Sequence, residues 1–237
     1  MNEINIQIGR KIRVFRKAKS MTLDDLSKII KKSKSTISKY ESGEIAIDIP
    51  TLYDISDALD VHVEQLLYAR ARSKAIANAK DGGCPAFFRG ISQFYAYVFD
   101  GRSGQILRCV FDILSETDNN RYKIMMYMNF ADFDNYQNCE NTYWGYLEHY
   151  DAMTHISLVN KDTPMEKASV QVLASYLDSD TKWGLFNGFS SRPMMPVAVK
   201  MMLSKHRLSE DAALIAKLKL SKDDLRLLKL YNMFSVT

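Results

Sequence analysis

The sequence predicts an α+β protein of two modules: all-α at residues 1–68 and an antiparallel β-sheet at residues 86–237 that ends in two or three helices. A helical linker is predicted at residues 69–85. Three observations support this organisation. Apolar residues recur at spacings of three and four before residue 68, alternate with period two from about Phe94, and return to helical spacing after Pro196. A length of 237 residues is ordinary for two modules.

The segment Thr22–Glu41 predicts two short helices joined by a tight turn. Thr22 with Asp25 three positions later approximates a capping box, and Ser33 is a good N-cap for the second helix. The first helix carries one apolar stripe, which consists of Leu26, Ile29 and Ile30. Helices this short need neighbours to be stable, so both must pack against other elements.

The second of these helices has a polar face of the kind that binds DNA. Ile37 and Tyr40 share its apolar face, and the side chains elsewhere on it are ammonium groups and hydroxyls: Lys34, Ser35, Ser38 and Lys39. Its N-terminus also offers backbone N–H groups to phosphate. A capped helical hairpin with a solvated lysine face is the alternative. The Glu41-Ser42-Gly43 ending and the flanking helices favour DNA binding.

Residues 4–68 resemble the lambda-repressor/Cro-like (XRE) helix-turn-helix regulators. The resemblance includes Gly9 on a first helix, the two helices described above, Pro50 on a fourth and Leu66 on a fifth. It implies a five-helix, all-α helix-turn-helix domain whose third helix enters the major groove of DNA.

The resemblance also implies roles for individual residues. Lys34, Ser35 and Lys39 occupy base-reading positions, and Ser33 and Thr36 occupy positions that touch phosphate or sugar. The complete set of predicted DNA-binding residues is Thr22, Lys31, Lys32, Ser33, Lys34, Ser35, Thr36, Ser38, Lys39 and Ser42. Arg16 and Glu41 match a pair that ties the first helix to the third, a structural role.

Two residues depart from the family pattern. Leu23 stands where the family usually has a glutamine that helps to hold the DNA backbone, and Lys31 stands where it usually has glycine in the turn. A lysine with positive φ costs about 1 kcal/mol, unless the turn differs. We predict that Lys31, Lys32 and Lys34 offset this cost by contacting phosphates.

Positive charge is concentrated in the predicted DNA-binding segment. The whole chain has a net charge of +4, but residues 1–41 hold eleven Lys/Arg and four Asp/Glu. Residues 42–69 hold six acidic residues and no Lys or Arg. Further basic residues extend the positive face along the first helix: Arg10, Lys11, Arg13, Lys17 and Lys19. This distribution is typical of an electrostatic footprint for DNA.

Composition indicates a cytoplasmic protein. The longest apolar runs fall short of a membrane span, and the first residues, MNEINIQIGRK, lack the apolar stretch of a signal peptide. The three cysteines, Cys84, Cys109 and Cys139, have neither a disulfide pattern nor zinc-like spacing.

The second module predicts seven strands followed by helices. The predicted strands are 94–99, 105–114, 122–130, 143–150, 153–159, 168–176 and 183–189. Val197–His206 predicts a helix, Ser209-Glu210-Asp211 caps a second helix, and Ser221 with Asp224 caps a third. Leu225 and Leu228 on the last helix are candidates for a dimer interface, with core packing as the alternative.

Aromatic residues are concentrated in the second module, where 22 of the chain's 26 lie after residue 80. They predict either an ordinary aromatic core or a pocket for a flat or apolar small-molecule effector. The candidate ligand-binding residues are Tyr127, Trp144, Tyr146, Trp183, Phe186 and Arg192.

No catalytic or metal-binding pattern is predicted, and no cofactor. His149 and His155 lie six apart without a third ligand at zinc-like spacing, and no Ala-Gly pair of a self-cleaving repressor occurs. We therefore predict a homodimeric transcription regulator, a repressor, whose partners are an operator in double-stranded DNA, a second copy and an effector, and not a membrane. The alternatives are a constitutive phage-type repressor or antitoxin-like protein with a protein partner, and an enzyme fused to a DNA-binding domain.

Overall fold

Two helices of the first unit begin at N-caps that the sequence predicted, Thr22 and Ser33. The computed structural model describes residues 3–67, 84–118, 121–175, 177–191 and 194–236, and the chain divides into two compact units. The helices of the first unit are α1 (Glu3–Ala18), α2 (Leu23–Ile29), α3 (Lys34–Ser42), α4 (Ile49–Ala58) and α5 (Val63–Leu67). Thr22 and Asp25 form a reciprocal capping box, Ser33 caps α3, and Asp48 caps α4.

The core of the first unit consists of the apolar stripes of these helices. The residues that are fully buried are Ile12, Leu26, Ile37, Ile55, Leu59 and Leu66. Gly9 allows α1 and α3 to approach closely, because a Cβ atom there would lie 2.2 Å from the Tyr40 carbonyl oxygen. Gly43 ends α3 in the left-handed conformation with φ of 75°.

The second unit is a closed, eight-stranded antiparallel barrel in which each strand pairs with its neighbours in sequence. Its strands are β1 (Gln93–Asp100), β2 (Gln105–Asp118), β3 (Arg121–Phe130), β4 (Cys139–His149), β5 (Met153–Asn160), β6 (Lys167–Leu173), β7 (Thr181–Ser191) and β8 (Met194–Ser204). The closing pair, β1 with β8, extends over three residue pairs, from Tyr95–Ser204 to Tyr97–Met202.

Apolar side chains occupy the barrel interior. Phe94 and Phe111 stack with ring centroids 4.6 Å apart, and a 3₁₀ turn at Ala86–Phe88 adds Phe87 and Phe88, each 1% exposed, to the same core. An eight-stranded barrel is just wide enough for side chains to fill it. Of the two interpretations of the aromatic cluster, the interior therefore favours an ordinary core.

In the described part of the chain after the barrel there are two helices, α6 (Ala212–Leu218) and α7 (Lys222–Tyr231). Asp211 caps α6, and Ser221 forms a capping box with Asp224 at α7, as the sequence predicts. Leu214 and Leu218 of α6 pack on Tyr97 and Met202, which lie on the outer wall of the barrel.

The prediction of a helix at Val197–His206 is wrong, because this segment lies within and just beyond β8. All eleven residues of β8 pair with β7. Met201 and Leu203 face the interior, whereas Met202 lies under α6. A strand covered on both faces has a continuous apolar run without alternation, and such a run cannot be distinguished from a buried helix by periodicity.

The predicted linker at residues 69–85 lies, apart from Cys84 and Pro85, outside the described residues. The domain boundaries at residues 68 and 86 therefore stay a prediction. Within the described residues, no helix is both long and apolar enough to cross a membrane.

Candidate nucleic-acid interface

Of the two outcomes that the sequence left open for the turn between α2 and α3, the structure has the one with positive φ at Lys31. Lys31 has φ of 54°, in the left-handed region that lysine rarely adopts. The N–H of Lys32 donates to the Ser27 carbonyl oxygen at 3.1 Å, which helps to hold the turn. Lys31 and Lys32 are both exposed. The strained turn therefore places two cations next to the N-terminus of α3.

The N-terminus of α3 is lined with hydroxyl groups. Ser33 Oγ accepts the N–H of Thr36 at 3.1 Å, and it lies 2.8 Å from both Ser35 Oγ and Thr36 Oγ1. Ser33 Oγ thus provides an acceptor for one of the backbone N–H groups that the first turn of the helix leaves unbonded. The positive end of the helix dipole remains directed outward. Such an end favours the oxygen atoms of a phosphate.

The outward face of α3 is polar and its inward face is apolar. Ile37 and Tyr40 are buried in the core of the first unit. Nine of the ten predicted DNA-binding residues are exposed, and Thr36 is half-buried. Among the described residues, no ion pair engages Lys31, Lys32, Lys34 or Lys39, so these ammonium groups are available to a ligand.

Thr22 and Ser42 also use their hydroxyl hydrogens within the domain, in bonds to carboxylate or carbonyl oxygens. Thr22 Oγ1 donates to Asp25 Oδ2 at 2.7 Å, and these bonds lower the pKa of the Asp25 carboxyl group. Ser42 Oγ lies 2.9 Å from Glu44 Oε1 and 3.1 Å from the Lys39 carbonyl oxygen. Thr22 or Ser42 would have to break its hydrogen bond within the domain before its hydroxyl could donate to DNA.

Arg16 and Glu41 form a buried, two-bonded ion pair between α1 and α3. Arg16 Nε lies 2.5 Å from Glu41 Oε1, and Nη2 lies 2.9 Å from Oε2. Arg16 Nη1 also donates to the Met21 carbonyl oxygen at 2.7 Å. The hydrogen bond to Glu41 raises the pKa of Arg16. The pair fixes α3 to α1 and leaves neither group for DNA.

Part of the predicted basic face contacts other parts of the same domain. Lys11 Nζ donates to the Gln65 carbonyl oxygen at 2.9 Å, and Lys19 Nζ lies 3.2 Å from Asp60 Oδ2. Arg10, Arg13 and Lys17 are exposed on α1. Lys31 and Lys32, which directly precede α3, are therefore better placed to contact phosphate than Lys11 and Lys19, which have partners within the domain.

Comparison with known proteins identifies the first unit. Residues 12–66 match a family model described as helix-turn-helix. These residues form a helix-turn-helix domain. The XRE-type resemblance is thereby confirmed for this part of the chain. No curated protein sequence matches the chain.

Three solved structures illustrate the similarity. The clp gene regulator ClgR from C. glutamicum is 26% identical over 32% of this chain and 99% of its own, with a TM-score of 0.29. An HTH_3 family transcriptional regulator from Vibrio cholerae is 13% identical over 86% of this chain and 98% of its own, with a TM-score of 0.27. Apo-HppE is 11% identical over 86% of this chain and 99% of its own, with a TM-score of 0.30.

The candidate ligand-binding residues of the barrel do not share one surface. Phe186 lies in the interior core, whereas Trp183 packs against the outer cluster near α6. Tyr127 is buried against Tyr136, with ring centroids 5.2 Å apart. Tyr146 lies beneath the Arg121 guanidinium, 3.6 Å from its ring centroid. The two remaining candidates are Trp144, which is 42% exposed, and Arg192, which lies outside the described residues.

The two histidines considered as metal ligands lie on opposite faces of the barrel wall. His149 pairs with Thr154 and Glu148 pairs with His155, so His149 and His155 occupy consecutive, oppositely directed positions. His149 Nδ1 lies 2.9 Å from Thr154 Oγ1. Burial lowers the pKa of His149 to about 4. Among the described residues, no group of three or more His, Cys, Asp or Glu could hold a metal ion.

Sequence reasoning missed a cleft of about 510 Å³ on the outer wall of the barrel. Its lining includes Phe99 of β1, Lys200 of β8, and Lys219 and Leu228 from the C-terminal helical region. No local pattern could have indicated it, because these residues meet only when β8 closes the barrel against β1.

Proposed function

We propose that the chain is a sequence-specific transcriptional repressor that acts as a homodimer by binding DNA, without catalysis. One observation carries this proposal: α3 is anchored from behind by Ile37 and Tyr40, while its exposed face combines ammonium groups, hydroxyls and a helix N-terminus. In this proposal Lys34, Ser35 and Lys39 read bases in the major groove.

The remaining predicted DNA-binding residues hold the backbone. Ser33 and Thr36 supply hydroxyl and backbone groups at the N-terminus of α3, and Lys31 and Lys32 contact phosphates beside it. Backbone contacts position the domain, whereas base contacts specify the operator.

Base selection tests the proposed reading residues. Operators are selected from random duplexes by the native protein and by Lys34→Ala and Ser35→Ala, and affinities are then measured by fluorescence anisotropy at fixed salt. Each variant should alter the tolerated bases, with about 1–3 kcal/mol less discrimination at one position. Lys217→Ala, an exposed lysine of α6, is the matched control. Uniform weakening on all sequences would remove these residues from the reading role.

Dimerisation follows from the surface that a specific complex needs. Specific protein–DNA complexes bury about 1,000–2,500 Å² of protein surface, commonly through two half-sites on two subunits. Helix α7 carries exposed apolar side chains suited to an interface between copies: Leu225 is 44% exposed, Leu230 65% and Tyr231 57%. Leu225 was among the residues that the sequence predicted for this role.

Sedimentation tests this interface. Leu225→Glu should shift the native protein toward monomer and weaken binding to a two-half-site operator. Met165→Glu is the control, since Met165 is 81% exposed in the β5–β6 connection. A Leu225→Glu protein that stays dimeric would contradict a role for α7.

We also propose that the C-terminal unit senses a small effector. An effector changes operator binding only if it binds one arrangement of the dimer better than another. The second candidate function is a constitutive DNA-binding protein whose sheet binds a protein partner, and the apolar side chains that occupy the barrel interior favour it. Thermal shifts distinguish the two, because an effector at 100 times its dissociation constant adds about 2.7 kcal/mol of stability.

A further inference from the structure

The outer-wall cleft opens where β1 and β8 stop pairing. The observed pairs end at Tyr97–Met202, and the same register continued would place Phe99 opposite Lys200. Both of these residues instead line the cleft. The third side consists of the segment after α6, together with Leu228 of α7 and Phe234. Its volume of about 510 Å³ falls within the usual range of small-molecule sites.

The cleft has apolar walls and cationic side chains. Of the ten described residues that line the cleft, seven are apolar, two are lysines, one is glycine and none is acidic. Leu220 and Leu228 in the lining are 52% and 37% exposed. A ligand with an apolar body would cover these leucines, and a ligand with a negative charge would complement the lysines.

The two lysines are not equivalent. Lys200 Nζ lies 2.8 Å from Asp224 Oδ2 and 4.5 Å from the Trp183 ring centroid, so its charge is already compensated by α7. Lys219 is exposed, and its Nζ lies 4.9 Å from the Phe99 ring centroid. Among the described residues, Lys219 has no carboxylate partner. Lys219 is therefore the cation available to an anionic group in the cleft.

Helix α7 contributes Leu228 to one side of the cleft. No residue of α7 is fully buried. The ion pair between Lys200 and Asp224 connects α7 to β8, and Asp224 also caps the helix by accepting the Ser221 N–H at 2.8 Å.

We propose that this cleft binds a small amphipathic carboxylate, with its apolar part between β1, β8 and α7 and its carboxylate against Lys219. The inference rests on the sensing role proposed above for the C-terminal unit, and it gives that role a site and a ligand class. Residues of α7 that lie outside the cleft, such as Leu225, remain available to a second copy. A ligand that repositions α7 would therefore act directly on the proposed interface.

Tryptophan emission tests the binding step in the full-length protein. The chain has two tryptophans, and Trp144→Phe leaves Trp183, which lies beside Lys200, as the reporter. Decanoate is titrated below its micelle concentration, with decanol as the neutral analogue of equal chain length. Decanoate should change the emission saturably, and decanol should bind at least about fivefold more weakly, as expected for loss of one charge-assisted bond.

Two lysine variants in the same background locate the anionic group. Lys219→Met keeps the apolar stem and should weaken decanoate binding about fivefold without affecting decanol. Lys217→Met, at the exposed end of α6, should leave both affinities unchanged. The inference is overturned if the emission does not saturate, if decanol binds as tightly as decanoate, or if both lysine variants have the same effect.

DNA binding by the ligand-free protein is measured separately. Intact DNA binding without decanoate binding overturns this inference and leaves the proposed function in place. Decanoate binding without any DNA binding overturns the proposed function and leaves the cleft as a ligand site.

Discussion

Replacing Arg16 by methionine should destabilise the helix-turn-helix domain far more than replacing Arg16 and Glu41 together. The two side chains are 9% and 7% exposed and share two short bonds. Arg16→Met leaves the Glu41 carboxylate buried without its counter-ion, which typically costs about 3–5 kcal/mol. The double variant Arg16→Met/Glu41→Leu removes both charges and should recover most of that loss.

The size of the domain makes this loss decisive. A domain of this size has a total stability of about 3–10 kcal/mol, so Arg16→Met should be partly unfolded at room temperature. The double variant should stay folded, although the Met21 carbonyl oxygen loses its donor, at about 1 kcal/mol. The surfaces of Lys34 and Ser35 are untouched, so the folded fraction should keep the native operator preference.

Urea unfolding followed by two probes measures the effect. Helical circular dichroism reports largely on the first unit. Trp144 and Trp183 both lie in the barrel, so their emission provides an internal control that should not shift. The reasoning is refuted if Arg16→Met lies within about 1 kcal/mol of the native protein, or if the double variant is no more stable than the single one.

Two further predictions concern a buried histidine and the strained turn. The pKa of His149 is lowered to about 4 in the folded protein, so the unfolded chain binds a proton first as the pH falls. The barrel should keep its full stability above the ordinary histidine pKa and lose about 3 kcal/mol by pH 4. The urea midpoint of His149→Leu should lack this loss of stability between neutral pH and pH 4. An equal pH dependence of the urea midpoint in both proteins would contradict the role of His149. Lys31→Gly should stabilise the domain by about 1 kcal/mol, because glycine accepts φ of 54° without strain. If Lys31 contacts phosphate, the same variant should flatten the slope of log K against log salt by about 0.9, and an unchanged slope would exclude that contact.

The features that the sequence predicted correctly are those made by residues close together in the chain. Thr22 with Asp25 and Ser221 with Asp224 form their capping boxes within four residues, and Ser33 caps α3 within the same span. The positive φ of Lys31 was one of two outcomes that the resemblance left open, because the family usually has glycine at this position of the turn.

The features that were not predicted depend on contacts between distant residues. The sequence of β8 predicted a helix because Met201, Met202 and Leu203 form an uninterrupted apolar run. All three are buried, Met201 and Leu203 in the barrel interior and Met202 under α6. Trp183 and Phe186 lie three residues apart on β7, so strand alternation places them on opposite faces of the wall, although both were predicted to line one pocket. The cleft beside Lys219 forms only when β8 is a strand and pairs with β1, because residues of both strands line it.

The order of the strands also has a consequence for how the barrel forms. Each pairing from β1–β2 to β7–β8 joins neighbouring segments of the chain, whereas β1–β8 joins residues more than a hundred positions apart. Local hairpins form early because little loop entropy opposes them, and the distant pairing comes late. During synthesis the N-terminal strands therefore keep apolar surface exposed to solvent until Ser204 has been added and β8 can pair with β1.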